Sequence, residues 1–282
     1  MTSNFEVSPN KAIRMARIVN QTDGRSLVGT VAHGLLRGPL EGEEQADQLG
    51  VAAREAGAAG LDAIMIGPGA LGRHARELAG RNAPGLILCL EWTNEFREGP
   101  RVSGVEPRSS IIGTVEDALS LGADGIMSYI FLGWSDPAAE AAHVAANAAL
   151  SRECERLGVV RMIEVMVRGR EFVGDHYRAD YIANAARIAA EIGCDLVKVE
   201  WPGSAVGMAQ VVRACPVPLL VAGGGLLPHE EVVAMAKEAL HGGAAGFVIG
   251  RNIVQATSRR KLIGDLAAAV HPTAESAATQ TR

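Results

Sequence analysis

With 282 residues, of which 48% are hydrophobic and 21% charged, the chain has enough apolar material for one large buried core. Its formal net charge of −5 is spread without a basic block, which argues against a nucleic-acid surface, and no run approaches the roughly 20 apolar residues of a membrane span. Residues 1–18 lack the apolar stretch of a secretory signal, so we expect a cytoplasmic protein that binds small molecules.

Ahead of the first predicted strand, residues 9–19 read PNKAIRMARIV, a pattern typical of an amphipathic helix. We assign residues 1–25 to this helical extension, which either closes the floor of the fold or meets another subunit. No linker rich in Pro, Gly and Ser divides the rest of the chain, so residues 26–271 are expected to form one domain. Residues 272–282 are polar, and we expect a flexible tail there.

From residue 26 onward, short apolar runs alternate with alanine-rich segments of helical period. The runs predict eight strands: Ser26–Ala32, Leu61–Gly67, Leu86–Trp92, Gly125–Phe131, Val159–Val165, Asp195–Trp201, Val217–Gly223 and Ala244–Gly250. The intervening segments predict helices over Glu43–Ala56, Val115–Leu121, Ala138–Leu157, Tyr181–Ile192 and His229–His241. Eight βα units predict an α/β fold, a single (β/α)8 TIM barrel, with an open doubly wound sheet as the alternative.

Three similar tetrapeptides, each just before a predicted strand, indicate a repeated helix-to-strand turn. They lie at Gly57–Gly60, Gly122–Gly125 and Gly243–Gly246. In a barrel, turns of this kind lie at the amino-terminal ends of the strands, so these segments are expected to mark the bottom face.

The cysteines and histidines give no sign of a metal site. Cys89, Cys154, Cys194 and Cys215 are far apart, without a C-x-x-C pair, and the seven histidines are scattered. We interpret the cysteines as reduced core thiols, and we expect the protein to use neither a metal nor another cofactor.

Lys198 stands in the middle of the sixth predicted strand, in the segment DLVKVEWPG. Burial penalises the charged form of an amine, so this is an unusual place for a lysine. One interpretation is structural: the ammonium pairs with Glu164 or Glu200. The other is chemical, since a desolvated amine at the carboxyl end of a barrel strand can attack a carbonyl and form a Schiff base.

The ends of the next two predicted strands have the features of an anion site. Gly223, Gly224 and Gly225 follow the seventh strand and let backbone N–H groups approach an anion closely. Gly250 and Arg251 follow the eighth, where a helix N-terminus and a guanidinium both favour negative charge. Loops in these two positions frequently bind phosphate in such barrels, although a tight turn and a surface cap would show the same pattern.

Four segments, taken together and in order, resemble the class I aldolases of the archaeal fructose-bisphosphate aldolase and DeoC/LacD group. They are DGRSLVGTVAHGLLRGPLEG, CDLVKVEWPG, PLLVAGGG and GAAGFVIGRNIVQ, and the resemblance extends from about Lys11 to about Val270. By this resemblance Lys198 matches the Schiff-base lysine. Gly223, Gly224, Gly250 and Arg251 match the phosphate-binding groups.

The sequence departs from the archaeal pattern at two positions. Archaeal members carry an Asp-His-Gly triplet after the first strand, and Ala32 takes the place of its Asp. They also carry Tyr-Pro-Arg-Gly after the fifth strand, and Met166 takes the place of its proton-transferring Tyr. Neither side chain can move a proton. Glu164 lies on the same strand face as Met166 and, as in class I tagatose-bisphosphate aldolases, is our first candidate for proton transfer; His33 is the second.

Three further residues are candidates for substrate binding. Glu91 and Tyr129 end the third and fourth predicted strands, and Arg168 lies in the segment that replaces Tyr-Pro-Arg-Gly. At strand ends, Glu91 and Tyr129 could bind substrate hydroxyls or an amino group.

The resemblance implies a metal-independent aldolase that makes or cleaves a carbon–carbon bond of a phosphorylated ketose. Its partners would be a phosphorylated ketone such as dihydroxyacetone phosphate, an aldehyde, and other copies of itself in a homo-oligomer. Two alternatives stay open: a phosphosugar-binding protein that has lost its proton-transfer groups, and a lysine-dependent thiolase or acyl-transfer enzyme.

Overall fold

The computed structural model describes residues 8–38, 46–96, 108–169 and 176–272, and in it eight parallel strands close into a barrel. These strands are β1 (Ser26–Thr30), β2 (Ala63–Ile66), β3 (Gly85–Cys89), β6 (Gly125–Leu132), β7 (Val160–Val167), β8 (Leu196–Val199), β9 (Leu219–Ala222) and β10 (Gly246–Ile249). Each neighbours the next along the chain, and β10 pairs with β1. The predicted barrel is confirmed, and the open sheet is excluded.

Helices surround the barrel and connect its strands. Their bounds are α1 (Pro9–Ile18), α2 (His33–Leu36), α3 (Ala46–Ala58), α4 (Pro68–His74), α5 (Val115–Ser120), α6 (Pro137–Leu157), α7 (Ala179–Glu191), α8 (Ala205–Ala214), α9 (His229–His241), α10 (Arg251–Val254) and α11 (Arg259–Val270). The predicted helices agree with α5, α6, α7 and α9 to within two residues at each end. The start of the predicted helix Glu43–Ala56, and the predicted tail beyond residue 272, lie outside the described residues.

The side chains of each strand point alternately into the barrel and outward to the helices, so the core has an inner and an outer layer. In β8, for example, Leu196 belongs to the cluster inside the barrel, whereas Val197 and Val199 pack outward against the helices. Successive side chains of a strand point to opposite faces, so Lys198 must point inward with Leu196. The same parity directs Met162, Glu164 and Met166 of β7 into the barrel.

Helix α1 covers the bottom of the barrel, which is one of the two positions expected for this segment. Ile18 is completely buried in the inner cluster, and its carbonyl oxygen accepts a hydrogen bond from Ser26 Oγ at 2.6 Å. At Gly85, the first residue of β3, a Cβ atom would overlap the carbonyl oxygen of Arg17. The glycine therefore allows α1 to lie directly against the strand end.

Three aspartates on the floor of the barrel make the same kind of contact. Just before β2, β6 and β8, the carboxylates of Asp62, Asp124 and Asp195 accept hydrogen bonds of 2.6, 2.9 and 2.7 Å from the backbone N–H groups of Leu27, Leu86 and Arg161. Each carboxylate also pairs with a cationic side chain from an end of the chain, namely His271, Arg17 and Lys11, respectively. These contacts tie the terminal helices to the barrel.

The prediction of one strand over Leu86–Trp92 is wrong at its second half. The chain leaves the barrel after Cys89, and β4 (Glu91–Thr93) pairs antiparallel with β5 (Ser109–Ile111) in a separate hairpin. The apolar run is continuous through Leu90, so hydrophobicity did not reveal the break. The change of partner depends on residues nearly 20 positions further along the chain.

Candidate active site

A cavity of about 560 Å³ opens at the carboxyl ends of the barrel strands. Parallel strands of a barrel all end at this face, so the loops that follow them can combine their side chains in one site. Most of the residues selected from the sequence line the cavity: His33, Tyr129, Glu164, Arg168, Lys198, Gly223, Gly224, Gly225, Gly250 and Arg251.

Lys198 and Glu164 form a buried pair in the cavity. They are register partners on β8 and β7, and Lys198 Nζ lies 2.8 Å from Glu164 Oε2. Only 8% of Lys198 and 5% of Glu164 is exposed. The structural interpretation of Lys198 is therefore correct about the ion pair, but the partner also lies where a proton acceptor for a nucleophilic amine is needed.

Glu200, the other carboxylate considered for Lys198, is paired with Arg168 instead. The guanidinium donates two hydrogen bonds to the two Glu200 oxygens, at 2.8 and 2.9 Å, and Glu95 Oε1 lies 3.6 Å from Arg168 Nε. Burial opposes the charge of Arg168, but the bonds and charge of Glu200 raise its pKa overall. Burial also raises the pKa of Glu95, with the negative charge of Glu200 adding to the effect.

His33 begins α2, and its ring packs against Gly250. A Cβ atom at Gly250 would overlap that ring, which explains the glycine at the end of β10. Burial lowers the pKa of His33 to about 3, and the positive charges of Lys198, Arg251 and Arg37 add to the effect. The imidazole is thus neutral near pH 7.

The two loops expected to bind phosphate lie side by side. Gly224 has a φ of +64°, which favours glycine, and its carbonyl accepts a hydrogen bond of 2.6 Å from the Arg251 guanidinium. Within the described part of the chain, the N–H groups of Gly224 and Gly225 donate to no acceptor. Asn252, which we did not select from the sequence, directly follows Arg251 and donates a hydrogen bond to the carbonyl of Gly225.

Tyr129 lines the cavity, whereas Glu91 does not. Tyr129 is the register partner of Glu164 and lines the cavity; burial and the charge of Glu164 hold its pKa well above the ordinary value, so the phenol stays protonated. Glu91 is 0% exposed and does not line the cavity. Its carboxylate accepts hydrogen bonds from the Tyr129 backbone at 2.6 Å and from Ser109, and lies 2.5 Å from His143 Nε2. Glu91 therefore supports the wall that carries Tyr129.

Ala32 and Met166 both line the cavity. The two positions that depart from the archaeal pattern therefore face the site without an ionisable group. Aromatic side chains that were not selected from the sequence, Phe96, Tyr177 and Trp201, complete part of the wall.

The described residues contain neither a metal-binding cluster nor a membrane-spanning helix. No group of three or more His, Cys, Asp or Glu side chains there could hold a metal ion, and no helix there is long and apolar enough to cross a membrane. The expectation that the protein needs no metal stays a prediction.

A closed parallel barrel with a buried lysine and carboxylate at the carboxyl ends of its strands defines the class: a (β/α)8-barrel enzyme. The sequence profile of the DeoC/LacD family of aldolases matches residues 29–256, and the chain therefore belongs to this family of class I, Schiff-base-forming aldolases. It is an enzyme of the lyase type.

Similar proteins agree with this assignment. An uncharacterized aldolase of Saccharolobus solfataricus is 31% identical over 264 residues, which cover 93% of this chain and 95% of that one. A 2-amino-4,5-dihydroxy-6-oxo-7-(phosphonooxy)heptanoate synthase of Streptomyces griseus is 28% identical, with 93% and 90% covered. The solved structure of a Schiff-base-forming fructose-1,6-bisphosphate aldolase matches with a TM-score of 0.77 and 25% identity, over 93% of this chain and 100% of that one.

Proposed function

We propose that this protein makes or cleaves a carbon–carbon bond of a phosphorylated ketose, with dihydroxyacetone phosphate or a related ketone as donor and an aldehyde as acceptor. The observation that carries the proposal is the buried Lys198–Glu164 pair, 2.8 Å apart, in a cavity that two glycine loops also line. A fructose-1,6-bisphosphate aldolase and a synthase named for a phosphonooxy product are among the similar proteins.

Lys198 supplies the covalent step. Its Nζ, after passing a proton to Glu164, attacks the ketone carbonyl; the resulting carbinolamine loses water to give an iminium. Glu164 returns its proton to the departing carbinolamine hydroxyl. As the carbon–carbon bond breaks, Glu164 takes the proton of the substrate hydroxyl that becomes the aldehyde carbonyl, and the electron pair of the bond moves toward the iminium nitrogen. The aldehyde leaves, and the remaining enamine is protonated at carbon and hydrolysed by water, which frees the ketone and Lys198. Because the iminium acts as the electron sink, this route requires no metal and no other cofactor.

Glu164 is the stronger of the two candidates for proton transfer. It contacts the amine directly, and proton transfer requires a group within hydrogen-bond reach of the reacting atom. His33 is neutral near pH 7 because of its low pKa, so it has no proton to release as an imidazolium, although it can hydrogen-bond a substrate oxygen. Ala32 and Met166 leave no competing group at their own positions.

The phosphate of the donor is assigned to Gly223, Gly224 and Gly225 together with Gly250 and Arg251. The unbonded N–H group of Gly224, with the guanidinium of Arg251 nearby, offers what a phosphate needs. We assign Tyr129 and the Arg168–Glu200 pair to contacts with the rest of the substrate, since they line the same cavity.

Borohydride trapping tests the covalent step. Incubation with dihydroxyacetone phosphate and borohydride should add a stable mass to the peptide that contains Lys198, because reduction converts the iminium into a secondary amine. Lys198→Met should abolish both the adduct and turnover, and Lys237→Met, on α9, is the matched control. Turnover that survives Lys198→Met would exclude the Schiff base at this residue; an adduct without turnover of any aldehyde would indicate a binding protein.

A further inference from the structure

Asn252, the second residue of α10, lies behind the glycine loop that follows β9. It is 5% exposed, does not line the cavity, and reaches the loop with its carboxamide. The Nδ2 group donates to the carbonyl of Gly225 at 2.8 Å and, at 3.4 Å, to that of Gly223. The Oδ1 atom accepts from the N–H of Leu227 at 2.9 Å. One buried side chain thus bonds three backbone groups of the loop.

These bonds determine where the amides of the loop point. In a trans peptide the C=O and the following N–H point in opposite directions. When Asn252 holds the carbonyls of Gly223 and Gly225, the N–H groups of Gly224 and Leu226 turn to the other side of the loop. Of these two residues, Gly224 lines the cavity, whereas Asn252 lies outside the lining, so the N–H group of Gly224 faces the cavity.

We infer that Asn252 is a positioning residue for anion binding: it fixes the loop so that the N–H group of Gly224 points at the phosphate of the substrate, without touching the phosphate itself. The role requires both a donor and an acceptor at one position, and asparagine provides both. Aspartate has nearly the same shape, but it would place a negative oxygen against the carbonyls of Gly223 and Gly225. This inference rests on the proposed function, because that proposal places the phosphate here.

The experiment compares Asn252→Asp with wild type, using a phosphorylated and an unphosphorylated donor. In the borohydride assay, half-maximal labelling of Lys198 by dihydroxyacetone phosphate should need about 10- to 100-fold more ligand in the variant, the range for lost hydrogen bonds to a charged group. Labelling by dihydroxyacetone, which has no phosphate, should change by less than about twofold. Gln255→Glu repeats the change from amide to acid three residues further along and should leave both values unaltered.

Titration with inorganic phosphate, followed by calorimetry, keeps the inference separate from the lysine chemistry. If wild type binds phosphate and Asn252→Asp does not, the inference holds even when no ketone labels Lys198, and only the proposed function fails. The inference would be overturned if the ligand concentration for half-maximal labelling rose equally for both ketones. It would also be overturned if the variant still bound phosphate. Asn252→Ala, which removes the bonds without adding charge, serves if the acidic variant does not fold.

Discussion

At the scale of single residues, the site depends on one register match between two strands. Glu164 and Lys198 face each other because β7 and β8 pair at these positions, and both side chains point into the barrel. A shift of one residue in either strand would turn its functional side chain outward, into the helical layer. The barrel core therefore fixes the chemistry of the site as well as its position.

Glu164→Gln should lower kcat by about 10²- to 10⁴-fold, because general acid–base groups contribute in this range. Borohydride should still label Lys198, although more slowly, because water can accept the ammonium proton in place of Glu164. Steady-state kinetics and trapping on the same preparation give the answer. His33→Ala is the comparison variant, and we expect a smaller effect on kcat. A kcat close to wild type for Glu164→Gln would transfer the proton-transfer role to His33, whereas loss of labelling would show that Glu164 orients the lysine.

Lys198 could be recognised in the sequence because burying an ammonium in an apolar strand is unfavourable. The glycine loops could be recognised because their residues are neighbours in the sequence. The pairing of Lys198 with Glu164 rather than Glu200 could not, since that choice depends on Arg168, whose guanidinium occupies both oxygens of Glu200. Glu91 was misplaced for a related reason. Its exclusion from the cavity follows from the break after β3, which depends on contacts with β5.

At the scale of elements, the fit of α1 against the barrel floor can be tested at Gly85. Gly85→Ala should lower the free energy of unfolding by about 1–3 kcal/mol, because the added methyl group meets the backbone of α1 and something must move. Gly72→Ala, in α4, adds the same methyl group where nothing lies within 4 Å and should be neutral or slightly stabilising. Urea denaturation of both variants measures the difference, and equal stabilities would contradict the close packing described for α1.

The alternation of strands and helices was predictable because each strand and helix carries its own hydrophobic period. The floor aspartates were visible as residues in the segments LDAI, ADGI and CDLV, but their function was not. Each accepts a backbone N–H from the neighbouring strand and pairs with a cation far away in the chain, as Asp195 does with Lys11. Periodicity contains no information about such distant partners.

At the scale of the whole molecule, His271 joins the end of α11 to the barrel floor. Its ring nitrogens lie 2.7 Å from Asp23 and 2.9 Å from Asp62. The hydrogen bond to Asp62 raises the pKa of His271 to about 8; burial opposes this, and Asp23 adds to the increase. Because the folded pKa exceeds the unfolded value of roughly 6.5, the stabilisation is complete below that pH and is lost as the pH rises through about 8.

His271→Gln should therefore lower the free energy of unfolding by about 1 kcal/mol at pH 6, allowing for solvent screening, and by less at pH 9. The quantity to follow is the difference between wild type and variant across this range, since other titrating groups cancel in it. A difference that stays constant from pH 6 to pH 9 would mean that the charge of His271 does not contribute.

The closed floor also has a consequence for the order of events during turnover. Helix α1 covers the bottom, and the cavity that holds Lys198 opens at the carboxyl ends of the strands. Lys198 lies on β8, two residues before Glu200, which follows the strand and also lines the cavity, so Lys198 is the deeper of the two. Under the proposed function, the ketone reaches Lys198 before an aldehyde occupies the space above it, and the aldehyde leaves first. We expect a compulsory-order steady-state scheme, in which the aldehyde is a noncompetitive product inhibitor of cleavage and the ketone a competitive one; competitive inhibition by both would indicate that the two ligands pass each other freely.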